Sequence, residues 1–79
     1  MKHCIATTTS LNLSIKAQRS LAREGIYSKV ISLDPSQSKR GCAYGIDFDC
    51  SEERLVRSIL RRERIYPTQF LSDAQGNTL

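Results

Sequence analysis

AYGIDFD, residues 43–49, alternates without interruption: Tyr44, Ile46 and Phe48 fall on one face, Ala43, Gly45 and Asp47 on the other. Strand side chains change face at every residue, so a period of two marks a strand with its aromatic face turned inward. Upstream, YSKVISL (residues 27–33) is rich in β-branched residues and stops at the turn signal Asp34-Pro35. Downstream, Asp49 followed three residues later by Glu52 resembles a capping box, so a helix is expected to start near Cys50 or Ser51. Leu55, Val56, Ile59 and Leu60 form its apolar stripe. Glu52 and Glu53 suit the positive end of its dipole, and Arg57, Arg61, Arg62 and Arg64 the negative end.

Working back to the N-terminus, KHCIATT (residues 2–8) reads as a first strand and Ser10 as the cap of a first helix. Across residues 11–24, Leu11, Leu13, Ile15, Ala17, Leu21 and Ala22 share one broad arc at about 100° per residue, and Gly25 is the stop. The order is strand, helix, strand, strand, helix, with residues 68–71 either a short last strand or part of a frayed tail. A right-handed crossover makes the first two strands parallel, and the third returns antiparallel. Both helices then cover one face of a three- or four-stranded sheet. The expectation is a ferredoxin-like α+β sandwich, βαββα(β), with a single domain over residues 1–66 and a last strand or flexible tail over 67–79.

Seventy-nine residues hold one core, burying only roughly 60% of the unfolded surface. Hydrophobic residues at 39% and charged residues at 25% are globular values. No apolar run approaches a membrane span and no signal peptide is visible, so a cytoplasmic protein is expected. Three cysteines without a CxxC spacing are expected to remain thiols in a reducing compartment. The net charge of +4 favours anionic partners.

One cysteine is out of place. In SQSKRGCAYG, residues 36–45, Cys42 lies at the mouth of a strand, after Lys39, Arg40 and Gly41. The proposed topology returns this loop to the sheet end where the first helix begins. There, unpaired amides from Thr8, Thr9 and Ser10 and the helix dipole favour an anion. Together with Lys39 and Arg40 they favour a reactive thiolate on Cys42. The bland alternative is a solvated turn with a small, partly buried cysteine. Cys4 reads as core, and Cys50 lies at the other end of the sheet beside Glu52 and Glu53, which disfavour a thiolate. Its role is left open.

Rival chemistries find little support. His3, Cys4, Cys42 and Cys50 have no metal-ligand spacing, and an extended strand holds Cys42 and Cys50 about 26 Å apart, so no metal is expected. Arg57, Arg61, Arg62 and Arg64 read as a solvated face or a docking patch for an acidic protein. Nucleic acid is the weaker partner, because the face opposite the helices offers Ala43, Gly45 and Asp47 and no aromatic platform. No catalytic triad, phosphate loop or cofactor motif is present, and an exposed sheet edge leaves homodimerisation open.

Taken together, SIKAQRSLAREGI with its glycine stop, KVISL with Pro35, and the polar loop closing in GCAYGIDFD resemble the selenium/sulfur carrier protein-like family of small bacterial domains. The resemblance runs from about residue 4 to residue 62, and the family's carrier cysteine falls on Cys42. Lys39-Arg40-Gly41 departs from the small-residue approach usual in that loop. The resemblance implies a carrier rather than an enzyme, needing no cofactor. Cys42 would accept sulfur or selenium from a desulfurase-type donor as a persulfide or selenopersulfide and pass it to an acceptor protein. The alternative is a noncatalytic binding module using the arginine-rich second helix.

Overall fold

A computed structural model describes residues 2–33, 43–72 and 77–78. Its central strand is β3 (Tyr44–Asp49), which pairs antiparallel with β1 (His3–Thr8) on one side and β2 (Ser28–Ser32) on the other. Outside these, β4 (Gln69–Ser72) pairs antiparallel with β1, and β5 (Asn77–Thr78) with β2, giving the order β4-β1-β3-β2-β5. The helices are α1 (Leu11–Arg23) and α2 (Glu53–Arg62), the second preceded by a 3₁₀ turn at Cys50–Glu52. The first four strands and two helices make the expected ferredoxin-like α+β sandwich. The sequence reading did not include β5, a two-residue strand added to the β2 edge.

The alternation in β3 holds. Ile46 and Phe48 pack with Cys4 and Ala6 of β1 against Ala17 and Leu21 of α1 and Val56, Ile59 and Leu60 of α2. The opposite sheet face carries a smaller cluster of Ile5, Ile31 and Leu33, with Leu71 against it.

Val56, Ile59 and Leu60 of α2 are buried as expected, while single positions on both helices depart from the expected inner faces. Leu11 and Leu13 are 38% and 37% exposed, Ala22 is exposed, and Leu55 is 46% exposed. The buried line of α1 keeps Ala17 and Leu21 from the expected arc and adds Ser14 and Ser20. Small residues let the helix axis approach the sheet closely, and hydroxyl partners offset the burial of the serines. Ser14 shares a hydrogen bond of 2.7 Å with Thr8, and Ser20 donates to Glu63 at 3.3 Å. Composition around the arc did not reveal this, because periodicity counts apolar residues and here the buried positions are partly polar.

Both helices end in the same way. Ile26 N–H reaches Leu21 O at 2.9 Å and Gly25 N–H reaches Ala22 O at 3.0 Å, with Gly25 at φ +80°. At the end of α2, Ile65 N–H reaches Leu60 O at 2.8 Å and Arg64 N–H reaches Arg61 O at 3.0 Å, with Arg64 at φ +59°. These are paired Schellman closures in which the apolar residue after the left-handed position returns to the core. Pro67 could not continue a helix, but the chain has already left α2 at Arg64, three residues earlier.

Gly45 sets how closely β3 and β1 approach on the face away from the helices. A Cβ there would stand 2.8 Å from Ala6 O, 3.0 Å from Ile5 Cγ2 and 3.3 Å from the Thr7 Cα. Two of those atoms are backbone and cannot swing aside. Gly45→Ala is expected to destabilise the domain by about 1–3 kcal/mol through overpacking. An unchanged urea midpoint would show that the two central strands separate freely.

Candidate functional site

At one end of the sheet β1 stops and α1 begins. Thr8 is buried; its hydroxyl donates to Ser10 O at 2.8 Å and accepts from the Ser14 hydroxyl. Ser10 caps α1 as expected, its side chain accepting from Leu13 N–H at 3.2 Å. Thr9 is exposed. Neighbouring Thr7 shares a 2.7 Å bond with the Thr68 hydroxyl and accepts from Gln69 N–H at 3.1 Å, fixing the start of β4. The hydroxyls of Thr7, Thr8 and Ser10 are therefore committed to holding this corner together. What the corner offers a ligand is the exposed Thr9 and the backbone of the first turn of α1.

The strand register brings the polar loop's two anchors to this corner. Tyr44 pairs with Thr8 on one side and Ser32 on the other. Just beyond, Leu33 N–H donates to Ala43 O at 2.8 Å. Lys39, Arg40, Gly41 and Cys42 lie outside the described residues, but the backbone on either side of their loop is fixed at the α1 end.

The other end of the sheet overturns one expectation. Cys4 and Cys50 are joined in a disulfide, with Cα atoms 5.0 Å apart, where free thiols were expected. The reason is three-dimensional. Cys4 pairs in register with Phe48, and Cys50 N–H bonds Lys2 O at 3.0 Å as the chain turns back over the helix face. A separation of 46 residues hides that proximity from any spacing rule. Asp49 starts the turn by accepting from Ser51 N–H at 3.0 Å, two residues on rather than the three of a capping box. Hydrogen bonding from the Ser51 backbone, then from its side chain, holds the Asp49 carboxyl below its ordinary value. His3 Nδ1 lies 2.8 Å from Asp47 Oδ1 at this same end, far from the Tyr44 end of β3. Among the described residues, no three His, Cys, Asp or Glu side chains could hold a metal.

The arginine-rich surface is partly neutralised. Arg57 pairs with Glu53 at 2.8 Å and lies over the Phe70 ring at 3.8 Å from its centroid. Arg62 pairs with Glu24 and Glu63. Arg61 and Arg64 are exposed. No helix among the described residues is long and apolar enough to cross a membrane.

The Thr8–Ser14 pair is the buried polar contact on which the corner rests. Thr8→Val leaves the Ser14 hydroxyl buried without that partner and is expected to cost about 1–3 kcal/mol of stability. Adding Ser14→Ala should recover part of the loss. A double-mutant cycle in urea reads this directly, and strictly additive losses would contradict it.

A protein family described as "Putative Se/S carrier protein-like" matches residues 3–72, most of the chain. No curated protein and no solved structure matches it. The chain belongs to that carrier-like family.

Proposed function

We propose that this member of the Se/S carrier-like family carries a sulfur or selenium atom on Cys42 in the cytoplasm. The observation that supports the reading is the β3 register, with Tyr44 between Thr8 and Ser32, because it brings Leu33 and Ala43, the described residues flanking the 34–42 segment, to the end of the sheet where β1 passes into α1. A helix N-terminus carries unpaired N–H groups and roughly half a positive charge, a natural counterpart for a thiolate or perthiolate. Lys39, Arg40 and Gly41, with the Thr8–Thr9–Ser10 backbone, form the proposed anion-stabilising set. Within that set the Thr8 main chain is paired with Tyr44 and the Thr8 and Ser10 hydroxyls are engaged, so the exposed Thr9 and the first-turn amides of α1 are its available part.

The transfer needs no external oxidant. The Cys42 thiolate attacks the outer sulfur or selenium of a donor persulfide or selenopersulfide, the new bond forms, and the donor thiolate leaves. An acceptor nucleophile then attacks the same outer atom, and the Cys42 thiolate departs in turn. Each step exchanges one bond for another. Turnover belongs to the partner enzymes, a desulfurase-type donor among them. Arg57, Arg61, Arg62 and Arg64 form the proposed docking patch for an acidic partner, with Arg61 and Arg64 its most available charges.

Intact-protein and peptide mass spectrometry of the chain isolated from its host tests this. One added sulfur or selenium on Cys42, removed by a dithiol and absent from Cys42→Ser, is expected. An addition that persists unchanged in Cys42→Ser, or no addition from a host with active desulfurase, would overturn it.

A further inference from the structure

The disulfide end of the molecule holds chemistry that the carrier reading does not use. Cys4 is only 1% exposed, yet its sulfur is not in a purely apolar setting. Glu53 Oε1 and Ser72 Oγ each lie 3.7 Å from Cys4 Sγ. A carboxylate gains nothing from a disulfide sulfur, which has no proton to donate. Beside the reduced thiol, the same oxygen is a ready proton acceptor. The other Glu53 oxygen is held by Arg57 Nε at 2.8 Å, so the carboxylate is fixed in place. Cys50, the partner, is half-buried and begins the 3₁₀ turn leading into α2.

We infer that Cys4 and Cys50 are a working dithiol–disulfide couple, with Cys50 the attacking and attacked sulfur and Glu53 the proton acceptor for buried Cys4. In the oxidising direction, Cys50 first gives its proton to solvent, a step its acidic neighbours make slower. Its sulfur then attacks a small disulfide, forming a mixed disulfide and expelling one thiolate, which takes up a proton from solvent. Cys4 then gives its proton to Glu53 as its sulfur attacks Cys50 Sγ; the Cys4–Cys50 bond forms and the second thiolate leaves. Two electrons pass from the two cysteines to the small disulfide, which becomes two thiols. A dithiol reductant runs the steps backwards. This centre is separate from Cys42: Cys50 follows the Asp49 end of β3, whereas Cys42 precedes the Tyr44 end. It therefore stands or falls without the carrier reading. Asp49, Glu52 and Glu53 share this end with Lys2, His3 and Arg57, so an uncharged small disulfide avoids attraction or repulsion by either set.

The test uses the full chain carrying Cys42→Ser, so that only this pair can respond. Reduced protein is mixed with the neutral hydroxyethyl disulfide, quenched in acid and read by intact mass. The mixed disulfide on Cys50 should appear briefly and give way to the closed pair, and a dithiol should reopen it without denaturant. Glu53→Gln should slow closure by at least about tenfold near neutral pH and accumulate the mixed disulfide. Its closure rate should rise steeply with pH, while Arg57→Gln, which frees but keeps the carboxylate, slows closure less. Two results would overturn the inference: a pair that resists millimolar dithiol until the chain is unfolded, or closure in Glu53→Gln at the unaltered rate.

Discussion

A single strand with neighbours on both sides governs the molecule. β3 pairs along its whole length with β1, and through Tyr44–Phe48 with β2. Because successive side chains alternate, a slip of one residue would carry Ile46 and Phe48 out of the helix-facing core and turn Asp47 into it. Gly45 tightens that specification, since it lies against Ala6 O with no room for a side chain. With the register fixed, the chain on either side of the 34–42 loop has one place to be, beside the start of α1.

The two ends of β3 then acquire different characters. Toward Tyr44 lie a helix N-terminus, a corner of hydroxyls bonded to one another, and the anchors of a loop containing Lys39 and Arg40. Toward Asp49 lie Asp47, Asp49, Glu52 and Glu53 with the Cys4–Cys50 bond. A disulfide closing a 46-residue separation is worth roughly 4 kcal/mol of chain entropy. For a domain of this size, whose whole stability is on the order of 4–12 kcal/mol, the bond is a large share. Its oxidation state would set how firmly the start of α2 is held to β1.

Much of this architecture was legible in the residues. The period of two in residues 43–49, the Ser10 cap and the Gly25 stop each act through local geometry and need no tertiary information. Other features required knowledge of neighbours. Ser14 and Ser20 are buried because hydroxyl and carboxylate partners await them, so an arc drawn from apolar residues captures only part of the inner face of α1. Arg64 adopts a left-handed conformation usually left to glycine or asparagine, so nothing in its identity marks the end of α2. Cys4 and Cys50 carry no spacing signature; only the β1–β3 register brings them together. Glu53 looked like a helix-dipole residue and proved to be the carboxylate beside a buried sulfur.

The proposed carrier chemistry requires the α1 corner to favour the anionic form of Cys42. That requirement is tested most directly by the rate at which neutral iodoacetamide alkylates Cys42 at mildly acidic pH, with the Cys4–Cys50 bond intact so that one thiol reacts. The folded chain should react faster than the same chain unfolded in urea, because thiolate, not thiol, is the reacting species. A folded chain that reacts more slowly would contradict the account.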